Sequence, residues 1–344
     1  MTWTDEFAAW VRRRGVKDSS VSCYLHQLSV FQRRYDLSLA DCSLSKLLSS
    51  VDDLNRKVKP KTYHNYIMTI KLALRFLERE DLRKQLPNPK LPNMMDSIKS
   101  KILTPEEVKL LISKARNPQH RLIFEILYET GCRKGELLSL QIKSVQFDQY
   151  GAILTFTGKT GSRRRRVYGC VPDLRSYLNN HPQRGNAEAP LFITEHGEAL
   201  SETVLNWRFG QYDKIIGRHL HPHMWRHTRA TEDSKMYTDR EMMLQFGWTK
   251  PDMVSVYSHL SMRDVEDKDL VLHGLKRKEE ILRPIMEIIR CGKCQEENAP
   301  IAIYCSKCGE VLSKQSTREA VQEEVRRILK EEYPQLVKEL AKET

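Results

Sequence analysis

Three prolines within eight residues interrupt the helical pattern of this 344-residue chain. The segment Leu86-Pro87-Asn88-Pro89-Lys90-Leu91-Pro92-Asn93 cannot continue a helix, because each proline lacks the backbone N–H and its ring clashes with the preceding turn. Apolar residues recur at spacings of three and four on both sides of this segment, as in helices. The sequence therefore predicts a helical domain over residues 1–86, a linker over residues 87–102 and a larger domain over residues 103–275.

The larger domain opens with a helix and contains one clear pair of strands. Thr104, Pro105 and Glu107 have the spacing of a capped helix N-terminus. Residues 152–157 are β-branched and aromatic, residues 158–161 read Gly-Lys-Thr-Gly, and residues 163–170 can return as a second strand. Arginines occupy positions 163–166 and would alternate between the two faces, so at most half could meet one DNA surface. We expect a mainly α fold with a small antiparallel β-sheet, an α+β class.

The charge balance favours a polyanionic partner. Lysine and arginine number 57 against 45 acidic residues, which gives a net charge of +12 and a pI of about 9.2. Such an excess is typical of nucleic-acid-binding proteins, although a basic protein without such a partner has the same composition. No apolar run approaches the roughly 18 residues of a membrane span, and the N-terminus has no apolar signal core. We therefore expect a cytoplasmic protein.

Four of the eight cysteines form a tight array. Cys291 and Cys294, then Cys305 and Cys308, make two Cys-x-x-Cys pairs separated by ten residues. Four thiolates at this spacing suit structural zinc, and a disulfide or redox pair is the alternative. The segment 288–312 is too short for an apolar core, so zinc would supply its folding energy and it would form a small zinc ribbon. An amphipathic helix is predicted over residues 316–344.

One helical segment of the larger domain carries residues suited to phosphate chemistry. His223 and Arg226 are three residues apart, which places both side chains on one helix face. Arginine can form paired hydrogen bonds to a phosphate, and Tyr257 further along is a potential nucleophile toward it. Three further histidines lie nearby: His219, His221 and His227. A second metal site is an alternative for them, but no nearby cysteine or carboxylate completes a ligand set, so we interpret them as structural.

Other candidate residues each have an ordinary structural interpretation when taken singly. Arg133 follows a helix end marked by Gly131 and would usually lie at the surface. Lys159 lies in a glycine-flanked turn, where a lysine is usually solvated. Trp248 follows a glycine and, like Tyr257, would by default belong to the core.

The order of these residues changes their interpretation. An arginine, a hairpin lysine, His-x-x-Arg, Gly-Trp and then a tyrosine nine residues later form a pattern that resembles the tyrosine recombinase (phage integrase) family. The matching segments are Thr130-Gly131-Cys132-Arg133-Lys134-Gly135-Glu136-Leu137, Thr157-Gly158-Lys159-Thr160-Gly161, His223-Met224-Trp225-Arg226-His227-Thr228, Phe246-Gly247-Trp248 and Val256-Tyr257-Ser258-His259. The chain departs from the family in carrying Trp248 where most members have histidine. Its N-terminal helices resemble the family's core-binding domain less closely.

The resemblance implies a catalytic set of Arg133, Lys159, His223, Arg226, Trp248 and Tyr257. The arginines would clamp a DNA phosphate while the tyrosine attacks it and forms a 3′-phosphotyrosyl link. The histidine would do acid/base and orienting work, the lysine would protonate the leaving 5′-oxygen, and the tryptophan would position the phosphate and the tyrosine. Glu136 would orient active-site groups. Cleavage would need no metal or other cofactor.

The implied function is site-specific recombination or integration of double-stranded DNA by a homo-tetramer on paired sites, in a nucleoid-associated protein. A type IB topoisomerase shares this chemistry and is the nearest alternative. A non-cleaving DNA-binding relic is disfavoured by the complete residue set, and for a zinc-ribbon adaptor the ribbon alone is too generic. Tyr237 precedes Gly247-Trp248, so it competes with Tyr257 as nucleophile only on paper.

Overall fold

The computed structural model describes residues 2–91, 98, 100–158, 161–257, 266, 269–275 and 286–312. The chain divides into two compact units, Met1–Asp96 and Ser97–Thr344. Their boundary, between residues 96 and 97, falls within the linker predicted over residues 87–102. The helix predicted over residues 316–344 lies outside the described residues. Within the described part of the chain, no helix is long and apolar enough to cross a membrane.

Every secondary-structure element described in the first unit is a helix. Its helices are α1 (Trp3–Arg13), α2 (Asp18–Tyr35), α3 (Leu44–Lys57), α4 (Pro60–Phe76) and α5 (Glu80–Gln85). Each helix turns an apolar face inward, and residues such as Leu28 and Ile67 pack with their neighbours in one buried core. Pro60 occupies the first turn of α4, where its missing N–H costs no hydrogen bond.

Helices also dominate the second unit. They are α6 (Pro105–Lys114), α7 (Pro118–Thr130), α8 (Lys134–Leu138), α9 (Val171–Asn179), α10 (Glu202–Gly210), α11 (Asp213–Ile216), α12 (Pro222–Asp233), α13 (Asp239–Phe246) and α14 (Asp252–Ser255). The capped start predicted at Thr104 is confirmed, because its side chain accepts from the Glu107 backbone at 3.2 Å. Helices α7 and α12 form the centre, where Phe124 stacks on the fully buried Trp225 with ring centroids 5.0 Å apart.

A three-stranded antiparallel sheet lies beside these helices. Its strands are β1 (Val145–Asp148), β2 (Gly151–Gly158) and β3 (Gly161–Val167), in that order. The predicted hairpin is confirmed, but β3 ends three residues earlier than expected. The reason is Glu129, whose half-buried side chain accepts the backbone N–H groups of Tyr168 and Cys170, both at 2.6 Å, and turns the chain away. Strand β1 is a largely exposed edge strand, which explains why the sequence carries no alternating signal for it.

The arginines of β3 alternate between faces as predicted, but one face is buried against protein. Arg163 donates to Glu136 at 2.6 Å, and Arg165 donates to the fully buried Asp233 at 3.2 Å. Arg166 pairs with Asp148 of β1 through two bonds of 2.7 Å. These arginines therefore fix the sheet to the helices and to its own edge.

Residues 286–312 form a small separate element that packs on the second unit's core. It contains the short antiparallel strands β4 (Ile289–Arg290) and β5 (Glu297–Asn298). Met286 is buried in the main core, and Ile301 packs against it. A Cβ placed on Gly169 would lie 3.0 Å from the Cβ of Met286, so only glycine lets the two segments approach this closely.

Candidate active site

Two helices that end in glycine converge on one arginine. Gly131 follows α7 with φ +56° and Gly247 follows α13 with φ +60°, the left-handed conformation that glycine adopts without strain. Arg226 of α12 donates to the carbonyl oxygens of Gly131 and Phe246, both at 2.8 Å. The last carbonyls of a helix lack partners within it and carry the negative end of the helix dipole. They therefore hold the guanidinium in place and stabilise its charge.

The close packing at Gly131 gives a first prediction. A Cβ there would lie 2.6 Å from Cε1 of Phe246, and the positive φ adds strain, so Gly131→Ala is expected to lower the free energy of unfolding by about 2 to 3 kcal/mol. Gly135→Ala is the matched control, since no atom would lie within 4 Å of its Cβ. Urea unfolding of both variants checks the prediction. Equal stability of the two variants would contradict it.

A carboxylate organises the second arginine. Glu136 accepts from the side chain of Arg133 at 2.8 Å, from the backbone N–H of Arg133 at 2.8 Å and from Arg163 at 2.6 Å. Arg133 also donates to the carbonyl oxygen of Gly247 at 3.3 Å, so it reaches the same glycine-capped helix end. Burial alone would raise the pKa of Glu136, but the bonds from Arg163 and Arg133 outweigh it and the net pKa is lowered. The orienting role inferred for Glu136 thus has a structural basis.

Positive charge exceeds negative charge in this group. Burial, followed by the nearby charges of Arg133 and Arg163, lowers the pKa of Arg226 to about 9. Glu136 and, to a smaller extent, Tyr257 act in the opposite direction. Arg226 therefore remains protonated at neutral pH. Three guanidinium groups around one carboxylate leave a site that favours an anion, and a phosphate diester has the matching charge.

The two histidines of α12 occupy different positions relative to the tyrosine. His227 is buried, and its Nδ1 shares a hydrogen bond of 2.8 Å with the hydroxyl of Tyr257. His223 remains exposed and contacts the ring of His227, with centroids 4.3 Å apart. Desolvation by its neighbours, then the charge of Arg226, lowers the pKa of His223 to about 4, and similar causes lower that of His227 to about 3. The sequence interpretation of His227 as merely structural missed this contact, although its spacing of four from His223 placed both on one helix face.

Tyr257 lies inside the site and is only 2% exposed. Its ring stacks on Trp248 with centroids 5.3 Å apart and planes 8° apart, and Trp248 stacks in turn on Phe246. Burial raises the pKa of Tyr257, while the charges of Arg226 and Arg133 act in the opposite direction. Trp248 is therefore both a core residue and the surface that orients the phenol.

The remaining candidates lie apart from this cluster or outside the described residues. Lys159 is not among the described residues. Gly158, the last residue of β2, approaches Glu136, since a Cβ on it would lie 3.2 Å from Cγ of that side chain. Tyr237 is 37% exposed in the turn before α13, in contrast to the enclosed Tyr257. His219 pairs with Asp213 at 3.0 Å at the surface.

The cysteine array has the geometry of a four-thiolate site. Its four sulfur atoms lie within 4.8 Å of one another, with Sγ–Sγ distances of 3.5 Å for Cys291 and Cys308 and for Cys294 and Cys305. A tetrahedral zinc–thiolate site has sulfur atoms about 3.8 Å apart. Among the residues that the structure describes, this is the one group with such ligand geometry.

The backbone forms the same loop around both cysteine pairs. The N–H of Gln295 donates to the carbonyl of Cys291 at 2.9 Å, and the N–H of Gly309 donates to that of Cys305 at 3.0 Å. Gln295 and Gly309, each following the second cysteine of its pair, have φ +61° and +72°. Two matched loops that aim four sulfurs at one point fit a tetrahedral metal, and the residues present therefore suit structural zinc.

Comparison with known proteins agrees with this geometry. Residues 101–264 match the model of the phage integrase family. Tyrosine recombinase XerA of Pyrococcus horikoshii is 26% identical over 234 residues, which cover 66% of this chain and 78% of that protein. Tyrosine recombinase XerC of Alcanivorax borkumensis is 28% identical over 218 residues, covering 59% of this chain and 70% of that protein.

Solved structures share the fold at lower identity. The XerH site-specific recombinase bound to difH substrate in a pre-cleavage complex matches with a TM-score of 0.57 and 19% identity, over 75% of this chain and 81% of that chain. A lambda integrase dimer bound to a COC′ core site matches with a TM-score of 0.58 and 17% identity, over 74% and 76% of the two chains. The mainly α fold with a small antiparallel sheet is thus the fold of these enzymes. Residues 101–264 therefore form a domain of the phage integrase (tyrosine recombinase) family.

Proposed function

We propose that this protein is a site-specific DNA recombinase that cleaves and rejoins DNA through a 3′-phosphotyrosyl link on Tyr257. The observation that carries the proposal is the convergence of Tyr257 with Arg226 and Arg133 at the glycine-capped ends of α7 and α13. A tyrosine beside two fixed guanidinium groups has the groups that phosphoryl transfer requires: a nucleophile and donors that stabilise the developing charge.

The arginines would act on the phosphate itself. A DNA phosphodiester resists attack because its negative charge repels nucleophiles. Two of the five N–H groups of Arg226 donate to helix carbonyls, and the others can donate to the non-bridging phosphate oxygens. Arg133 would bind the same phosphate from the α8 side, held by Glu136. Because both groups are fixed before DNA arrives, little reorganisation opposes the transition state.

Cleavage would exchange one phosphate ester for another. The hydroxyl oxygen of Tyr257 bonds to phosphorus, the bond from phosphorus to the 5′-oxygen breaks, and that oxygen takes a proton. The family resemblance gives the protonation to Lys159 and acid/base or orienting work to His223. Attack by the 5′-hydroxyl of another strand would reverse the step and join the new partner. The energy of the original ester is kept in the phosphotyrosine, so no cofactor is needed for the reaction.

Double-stranded DNA is the proposed partner, bound by a homo-tetramer on paired sites in the nucleoid. The net charge of +12 supports a DNA partner. The solved relatives are described as bound to difH substrate and, for a lambda integrase dimer, to a core site. Strand relaxation as by a type IB topoisomerase is not favoured, since the curated relatives are named recombinases.

A two-site assay tests the proposal. The protein's bound sites would first be mapped on genomic DNA, and two copies of a mapped site placed on one supercoiled plasmid. Recombination predicts products in which the DNA between the sites is excised or inverted. Relaxed plasmid without exchange would favour topoisomerase activity. If neither product forms, the result would favour the non-cleaving DNA-binding alternative.

We also propose that Cys291, Cys294, Cys305 and Cys308 hold one structural zinc ion. The matched loops and the sulfur separations support this. Zinc would supply the folding energy of residues 288–312, and so keep Met286 and Ile301 seated on the core of the second unit.

Zinc removal is expected to unfold the ribbon and destabilise the catalytic unit. The binding free energy of structural zinc in isolated fingers is about 10 to 16 kcal/mol and is coupled to folding. Cys305→Ser removes one of the four thiolates and should lose the metal. The purified protein should contain one zinc per chain by elemental analysis, and a chelator should lower its unfolding temperature. Cys23→Ser, at an exposed isolated thiol, is the control and should retain one zinc. A protein with no zinc and no titratable thiols among the four would instead indicate disulfides.

A further inference from the structure

The hydroxyl of Tyr257 contacts a histidine that the proposed mechanism leaves unused. His227 Nδ1 lies 2.8 Å from the phenol oxygen, within hydrogen-bonding distance of the atom that would attack phosphorus. The ring planes are inclined at 36°, with centroids 5.7 Å apart. His223, to which the family resemblance gives the acid/base work, contacts the ring of His227.

Other described neighbours of the phenol cannot take its proton. The cluster around Tyr257 is apolar and includes Ile98, Trp248 and Val254. Arg226, whose charge acts to lower the pKa of Tyr257, has no acceptor atom when protonated. In the neutral tautomer that carries its proton on Nε2, Nδ1 of His227 can accept a proton, and it already lies beside the phenol oxygen.

We propose that His227 is a catalytic residue that takes the phenol proton as Tyr257 attacks the DNA phosphate. The inference rests on the proposed function. The O–H bond of Tyr257 breaks and its proton passes to Nδ1, which leaves an imidazolium. The freed electron pair forms the oxygen–phosphorus bond, and the bond to the 5′-oxygen breaks. In the rejoining step the imidazolium returns the proton to the departing phenol oxygen, so the cycle needs no further reactant.

The surroundings of His227 keep this base inactive until DNA arrives. Its pKa is lowered to about 3 by burial, then by the charges of its neighbours. Those neighbours are His223 and Arg226 on α12, His221 at the start of that helix, and Lys101 from the segment before α6. The imidazole is therefore neutral above about pH 3, and forming an imidazolium in the empty site is unfavourable. A phosphate beside Arg226 would offset that positive charge and make the proton transfer easier.

Single-turnover cleavage of a nicked suicide duplex by the full-length protein tests the inference. His227→Asn keeps an acceptor near the position of Nδ1 but cannot take a proton at neutral pH. We expect it to bind DNA as wild type does and to form covalent complex about 100-fold more slowly. His227→Phe should also bind DNA as wild type does and form covalent complex about 100-fold more slowly. This variant keeps a ring of similar shape but has no nitrogen to accept a proton.

The pH profile separates proton transfer from packing. Without a base, both variants must rely on phenolate, so their rates should rise about tenfold per pH unit from pH 7 to 9 while the wild-type rate changes little. Their defect should also persist on a duplex whose leaving 5′-oxygen is replaced by sulfur, because a thiolate needs no proton to leave. Wild-type rates, or slow rates with the wild-type pH profile, would overturn the inference. Absence of covalent complex with the wild-type protein would instead overturn the proposed function.

Discussion

Replacing Tyr257 with phenylalanine is expected to abolish the covalent protein–DNA complex, a loss of at least about 10⁴-fold in cleavage rate. Phenylalanine keeps the ring stacked on Trp248 and removes only the hydroxyl. The variant loses the hydrogen bond to His227, and leaving that buried group unpaired costs about 1 to 3 kcal/mol. It should therefore fold and bind DNA but not cleave it. Denaturing gels of suicide-substrate reactions measure the complex, and filter binding or gel shift measures affinity.

Tyr237→Phe provides the matched control for this prediction. Tyr237 precedes α13 and is 37% exposed, so its hydroxyl should be dispensable and the variant should cleave at the wild-type rate. A covalent complex formed by Tyr257→Phe but lost in Tyr237→Phe would show that the nucleophile is wrongly assigned. Peptide mapping of the wild-type adduct gives the same answer independently.

Replacing Arg226 with lysine is expected to lower the single-turnover cleavage rate by about 10³-fold. The guanidinium donates to two helix ends at once and retains donors for the phosphate. A lysine ammonium cannot span both carbonyls and also present a planar pair of donors. The substitution also leaves at least one of the carbonyls of Gly131 and Phe246 without its donor, so the free energy of unfolding should fall by about 1 to 3 kcal/mol.

Arg121→Lys is the control for this change, because it alters the same residue type at the opposite end of α7. Arg121 pairs with Asp173 through bonds of 2.7 and 3.0 Å, away from the site. Its replacement should change stability by about 1 kcal/mol or less and leave the cleavage rate unaltered. If Arg226→Lys cleaves within tenfold of wild type, Arg226 is not the principal phosphate clamp.

Local chemistry explains the parts of the site that the sequence predicts. Gly131 and Gly247 mark helix ends because few other residues adopt their backbone conformation, and both ends lie where expected. The hairpin of β2 and β3 follows from β-branched residues around a glycine turn. Arg133 and Arg226 meet because each bonds to the backbone at the end of α13, one to Gly247 and the other to Phe246.

Non-local packing explains what the sequence does not predict. The role of His227 depends on where the chain places Tyr257, thirty residues later, so no spacing rule links the two. The alternation of arginines on β3 is predictable, but the buried direction depends on Glu136 and Asp233, which come from α8 and α12. Lys159 lies in the turn of the predicted hairpin, and its role stays a prediction.

The excess of positive charge around Arg226 has a consequence for the free protein. Three guanidinium groups with one carboxylate repel one another, and burial intensifies that repulsion. Bringing these charges together on folding therefore costs free energy until an anion neutralises them. Sulfate or phosphate ions should therefore raise the unfolding temperature while they compete with DNA. The enzyme gives up stability at rest for affinity toward the phosphate it cuts.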